Sequence, residues 1–315
     1  MQPIIDAVDK DALAAELTPD RLLRTSNKGG NELYVVSASE APVVMREIGS
    51  LREEAFRDGG GGTGLSCDID SFDTMEPPCR QLLVWDPRDR EILGGYRFLL
   101  GEDVKRDDRG RLRMATSHMF GFSQKFIDQY LPHVIELGRS FVRLEYQSSK
   151  AGAKALYVLD NLWDGLGALT VIKPNVKYFF GKMIKYLFGK VTMYPGYGQE
   201  NRNLLLYFLN KHFPDPERLV WPLEPLDTGM DIPALRATFT GADFKEDLRI
   251  LHRKLRENGT NVPPLINAYM NLSPTMRMFG TAINREFGDV EESGIFITLA
   301  EVFEEKKRRH IGTYK

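Results

Sequence analysis

The segment HVIELGRSFVRLEY, residues 133–146, constrains the fold of this chain more than any other. Its Val, Ile, Leu and Phe content reads as a half-buried strand, yet Glu136, Gly138, Arg139 and Arg143 stand inside it. In a regular strand side chains alternate between faces, so Glu136 and Gly138 share one face and Arg139 takes the other. A glycine inside a strand often marks a β-bulge, which inserts one residue and flips the parity beyond it. A bulge at Gly138 turns Glu136 and Arg139 to the same side, splays the strand from its neighbour and frees main-chain N–H groups. Free amides beside a carboxylate are the parts of an acyl-transfer site: the amides bind a carbonyl oxygen as it becomes an oxyanion, and the carboxylate handles the proton. A solvated ion pair of little consequence is the other reading of the same Glu and Arg.

The flanking segments say what this strand is built into. Residues 6–24 read as an amphipathic helix, 32–38 as a strand, and 39–56 as a helix behind the cap-like Ser-Glu-Ala-Pro. The loop 58–73 carries five glycines in its first seven residues, so ordering it costs entropy that a bound ligand can offset. Segments 80–86 and 91–101 read as a strand pair joined by the turn Pro-Arg-Asp-Arg; 102–113 is a solvated loop and 122–131 a short helix. Helices are expected at 153–172, 200–213, 242–258 and 263–272, strands at 276–283 and 294–300, and a charged tail helix at 301–310. Residues 177–184 and 185–192, KYFFGKMI and KYLFGKVT, form a tandem echo. It reads as two successive β-segments or as a cationic, aromatic surface facing a partner or the membrane interface. This order predicts an α+β fold with a mixed central sheet flanked by helices. We expect one domain over 1–315, with its core at about 32–213 and residues 214–315 completing the same sheet beyond a proline-rich crossing.

Composition excludes several functions. With 42% hydrophobic and 27% charged residues the chain is ordinary globular protein, and a net charge of −2 gives no basic field for nucleic acid. Cys67 and Cys79 form no CxxC and have no matching His pair, so no metal site or disulfide framework is expected. The charged N-terminus is unlike a secretory signal, and no apolar run reaches about 18 residues, which points to a cytoplasmic protein with peripheral membrane contact left open.

Four tetrads stand in order: Leu51–Arg52–Phe56, Asp70–Asp73, Gly94–Arg97 and Glu136–Arg139. This order resembles the acyl-carrier-protein-dependent branch of the GNAT acyltransferase fold, which includes autoinducer synthases and the ornithine-lipid and glycine-lipid N-acyltransferases. The C-terminal segments VPPLINAYMNL and INREFGDVEESGIFITL are similar to the lipid-forming members. The resemblance implies a GNAT-like sheet with a β-bulge at the acyl site. It implies transfer of a long-chain fatty acyl group, with or without a 3-hydroxyl, to the α-amine of a small amino acid such as glycine or ornithine, in aminolipid synthesis. Acyl carrier protein is the implied partner and acyl-ACP or acyl-CoA the co-substrate, with no bound cofactor. Two departures matter. The tryptophan that autoinducer synthases carry after Leu-Arg-x-x-x-Phe is replaced by the Gly-rich loop, and the pyrophosphate loop reads QSSKAGA, with Lys150 where the first glycine is expected.

Roles follow from the resemblance. Glu136 is the candidate base, and amides near Gly138 with Arg139 complete the catalytic set. Arg52, Asp70, Asp73 and Arg97, with Glu136 and Arg139, make a neutral set of three cations and three anions that shapes the acceptor pocket, ties the N-terminal helix to the sheet, or both. Phe56 reads as core or pocket wall rather than as a specific ligand. Gln147, Ser148, Ser149, Lys150 and Gly152 are the candidate phosphopantetheine site at a helix N-terminus, with a plain surface lysine as the alternative for Lys150. His118 and His133 read as structural. The apolar face of 155–169 reads as an acyl tunnel or as plain core. Two rivals remain: an acetyl-CoA-dependent acetyltransferase of a small amine, and a non-catalytic GNAT-like binding module.

Overall fold

The computed structural model describes residues 1–147, 152–171 and 184–313. The chain opens with α1 (Lys10–Glu16), capped by the Asp9 side chain, and then β1 (Leu22–Thr25) and β2 (Glu32–Val36). The amphipathic pattern at 6–24 therefore gives a helix of only two turns, because Thr18-Pro19 ends it and the chain extends into an edge strand. Helix α2 (Pro42–Asp58) follows with proline in its first turn, and then the short α3 (Ser71–Thr74). Strands β3 (Arg80–Asp86), β4 (Glu91–Leu100), β5 (Phe120–Phe122) and β6 (Val134–Val142) lead to α4 (Gly152–Val171). After β7 (Tyr186–Met193) come α5 (Gln199–His212), β8 (Val220–Pro222), α6 (Ile232–Thr238), α7 (Phe244–Glu257) and α8 (Pro264–Met270). The chain closes with β9 (Arg277–Asn284), β10 (Val290–Thr298) and α9 (Glu304–His310). The second half of the tandem echo is thus a strand; the first half lies outside the described residues.

Eight strands form one sheet in the order β1-β2-β3-β4-β6-β7-β10-β9, and β5 pairs with β8 in a separate ribbon. Every neighbouring pair is antiparallel except β6 and β7, which run parallel around the α4 crossover. The fold is that of a mixed α+β sheet flanked by helices, as expected. The two late strands join this sheet on the far side of β7.

Alternation along the strands sorts the core into two faces. On one face Leu33, Leu82, Val84, Phe98 and Leu137 pack under α4 and α5. On the other Tyr34, Leu83, Trp85 and Phe141 pack under α1 and α2. A third cluster, around Phe126, Phe188 and Phe296, fills the space under the β5–β8 ribbon. Among the described residues no helix is long and apolar enough to cross a membrane.

The bulge in β6 is present but displaced from the expected glycine. Gly95 pairs with Phe141 and Arg97 with Gly138, so Arg139 and Ser140 together oppose Tyr96. Arg139, not Gly138, takes the left-handed conformation, with φ of 48°. Its strain is offset by tertiary ties: Nε lies 2.8 Å from Asp68, Nη2 lies 3.4 Å from Asp70, and the guanidinium sits 4.1 Å from the Phe287 ring centre.

Candidate active site

The parallel ladder between β6 and β7 runs from Val134–Tyr186 to Leu137–Gly189 and ends there. Gly189 permits this last close approach, since a Cβ there would lie 2.7 Å from the Leu137 carbonyl oxygen. Beyond it the bulge turns β6 aside and the strands part. Amides of residues 138–142 that face β7 therefore have no strand partner among the described residues. The opening is a cavity of about 700 Å³ that passes between the strands from one face of the sheet to the other.

On the α2 face the cavity is polar. Glu136 lines it while only 3% exposed. Ala115 N–H donates to its carboxylate at 3.2 Å, Thr116 N–H at 2.9 Å and the Thr116 hydroxyl at 2.7 Å. Burial pushes its pKa above the usual glutamate range, opposed in part by those Thr116 donors. A carboxylate so placed is held in one orientation, and burial makes it a stronger base than an exposed one.

Beside it, the expected charge set is assembled. Arg52, fully buried on α2, donates to Asp73 at 3.4 Å and to Gln81. Arg97 donates to Asp70 at 2.6 Å and Asp73 at 3.3 Å, and Arg139 reaches Asp70 from the bulge. Asp70 also caps α3, accepting from the Phe72 and Asp73 amides while Asp73 accepts from the Asp70 amide. Burial would raise Asp70, but Arg97 and Arg139 outweigh it and hold its pKa at about 2. Asp68 is an additional buried member that the Asp-x-x-Asp spacing does not mark. Phe56 is pocket wall, edge-to-face with Phe287 at 5.0 Å.

A second charged group, from β7 and the C-terminal strands, was not foreseen. Lys190 lies 2.6 Å from Glu292, which also accepts from Asn284 at 2.8 Å and Thr192 at 3.3 Å. All four line the cavity. The available signal was parity: Lys190 and Thr192 share a strand face with the buried Phe188, where a lysine is unexpected. His118 also lines the cavity, 3.4 Å from Asn284 Oδ1, whereas His133 lies at the start of β6 outside it.

On the α4 face the cavity is largely apolar, lined by Leu159, Val191, Met193, Leu265 and Ile266. Here too is Tyr96, whose buried hydroxyl meets the side-chain hydroxyls of Ser140 and Tyr269. Gln147 is at the rim, donating to the Val142 carbonyl at 2.7 Å, and Gly152 begins α4. Ser148, Ser149 and Lys150 lie outside the described residues. Burial drives the Cys79 thiol to about 12 and the Cys67 thiol to about 11, so neither is a ready nucleophile.

The profile of the acetyltransferase (GNAT) domain matches residues 51–156, which include both the Arg52–Asp73–Arg97 cluster and the β6 bulge. A glycine Nα-acyltransferase of Bacteroides thetaiotaomicron is 60% identical over 314 residues, covering 100% of this chain and 91% of that protein. One from Phocaeicola vulgatus is 56% identical over 314 residues, covering 100% of this chain and 94% of that protein. The chain belongs to this family of glycine Nα-acyltransferases. Among solved structures, the AHL synthase LasI aligns over 90% of this chain and 95% of that chain at 13% identity, with a TM-score of 0.36. The CoA-dependent acyl-homoserine lactone synthase BjaI aligns over 56% of this chain and 72% of that chain, also at 13% identity, with a TM-score of 0.30. Membership makes this protein an acyltransferase that forms an N-acyl bond.

Proposed function

We infer that this enzyme transfers a long-chain acyl group, plain or 3-hydroxylated, from acyl carrier protein to the α-amine of glycine. The observation that carries this reading is the buried Glu136 carboxylate at the point where β6 and β7 part. The acyl chain lies along Leu159, Val191 and Ile266, where each buried methylene contributes about 0.8 kcal/mol. The thioester carbonyl sits in the opening between the strands, with its oxygen toward the free amides of β6. The amine enters from the α2 face.

Glycine arrives as an ammonium, and Glu136, directly or through water, takes one proton. The nitrogen lone pair attacks the thioester carbon and the carbonyl becomes an oxyanion. Main-chain donors stabilise it; loss of one such donor typically raises a barrier by roughly 3–4 kcal/mol. Collapse restores the carbonyl, breaks the C–S bond and expels the thiolate, which is protonated as the amide nitrogen loses its remaining extra proton. No covalent enzyme intermediate is needed, in keeping with two cysteines held as thiols.

The preference for carrier protein rests on the loop at 147–153, whose sequence departs from the usual pyrophosphate pattern. A cavity of about 700 Å³ also suits a long chain better than an acetyl group. The test is to supply matched acyl carrier protein and acyl-CoA thioesters with a panel of amino acids, glycine and ornithine included, and identify products by mass spectrometry. N-acylglycine from the carrier-protein donor is expected. Equal use of CoA would remove the carrier protein from the reading, and an ornithine product without a glycine one would remove glycine.

A further inference from the structure

Six glycines lie in the eight-stranded sheet among the described residues, and five have a reason within the protein. A Cβ at Gly94 would lie 2.6 Å from the Phe141 carbonyl oxygen, at Gly95 2.9 Å from that of Leu82, and at Gly189 2.7 Å from that of Leu137. Gly280 takes a φ of +89°, and a Cβ at Gly294 would press on Phe279 at 3.2 Å. Gly138 is different. A Cβ there would meet nothing within 4 Å, and its φ is not in the left-handed region. Since a glycine weakens a strand interior, its presence calls for a cause outside the protein's own packing.

Its position supplies one. Gly138 lines the cavity, pairs with Arg97 across β4, and shares a strand face with Glu136 two residues away. It is also the first residue beyond the last β6–β7 pair, Leu137–Gly189, where the sheet opens. The space left by its missing side chain therefore adjoins both the base and the opening.

We propose that Gly138 is the acceptor-selecting residue: the space over its α-carbon is the path by which a primary amine on an unsubstituted methylene, an amino acid without a side chain, reaches the thioester carbonyl. This rests on the transfer described above and assigns its acceptor selectivity to one position. Chain burial on the other face is untouched by it, so a methyl group at 138 obstructs the acceptor and not the donor.

The test is Gly138→Ala in the full chain, with a long-chain acyl carrier protein thioester and glycine as probes, thiol release for rates and calorimetry for folding. The Tm is expected to equal or exceed that of the wild type. The KM for glycine is expected to rise by about tenfold or more, since small misplacements of a nucleophile are costly, with the KM for the donor unchanged. A fall in Tm would show that the strand itself requires the glycine. An unchanged KM for glycine, or a shift in the donor KM instead, would show that the acceptor does not use the space. If the wild type acylates a different small amine and not glycine, the choice of glycine fails, and the same comparison with that amine still decides the role of Gly138.

Discussion

Replacing Glu136 by Gln separates its chemical role from its structural one. The carboxylate accepts from Thr116 N–H and hydroxyl on one oxygen and from Ala115 N–H on the other. A glutamine keeps the two Thr116 bonds on its carbonyl oxygen and turns its NH₂ toward the Ala115 amide, losing that bond and setting donor against donor. The cost is about 1–3 kcal/mol. Against it stands relief from burying a charge, the dominant influence on this group. Because the folded-state pKa is raised, the folded state binds the proton more tightly than the unfolded state. The wild type therefore loses stability as pH rises from the ordinary glutamate value of 4.5 through the raised folded value, a loss that E136Q does not share. The variant is expected to gain on the wild type across that window and to lie within about 2 kcal/mol of it at neutral pH. Turnover should fall by about 10²- to 10⁴-fold, the range for a missing general base, or about 3–5 kcal/mol of barrier. Thiol release from the acyl thioester and thermal melts between pH 4 and 8 measure both (roughly the titration range of a perturbed carboxylate). Retention of more than about a tenth of the wild-type rate would refute the base assignment. Lost activity together with a collapse in Tm at every pH would make Glu136 a structural residue.

Three further outcomes follow from the same geometry. Arg52→Met should destabilise the protein by about 3–5 kcal/mol in denaturant titration, because it strips Asp73 of one of its two buried guanidiniums; a change under 1 kcal/mol would mean water already compensates Asp73. Tyr96→Phe removes a buried hydroxyl that meets those of Ser140 and Tyr269, so stability should fall by about 1 kcal/mol in calorimetry, while a loss of rate confined to hydroxylated acyl chains would place that hydroxyl on the donor. Leu265→Trp fills part of the apolar arm and should shift the preferred acyl chain to fewer carbons in a chain-length series, at about 0.8 kcal/mol per methylene no longer buried.

The parts of the site that share a local pattern were legible in the sequence. Glu136 stands out as a charged residue in a strand otherwise made for burial, whereas Arg52, Asp70, Asp73 and Arg97 were marked by the order of the tetrads that resembles the acyltransferase family. The β6 bulge was legible too, but its register was not. A glycine is the cheapest residue in a left-handed conformation, so local preference put the bulge at 138. Asp68, Asp70 and Phe287 hold Arg139 there instead, and those three come from segments about 70 residues before it and nearly 150 after it. The Lys190–Glu292 pair was out of reach for a related reason. Parity within β7 marks Lys190 as unusual, but only the β7–β10 pairing supplies Glu292 as its counter-ion. The helix expected at 6–24 failed differently: periodicity ran on through Pro19, where the backbone cannot continue.

Strand β10 sits between β7 and β9, so the interior of the sheet is laid down last as the chain emerges from the ribosome. Until residues 290–298 arrive, β7 presents a bare edge with its backbone groups unpaired, and Lys190 has no counter-ion. Vectorial synthesis thus yields a nascent chain with most of its charge cluster in place and one wall of its cavity missing. Such an edge invites pairing with a second nascent chain until the final hairpin covers it.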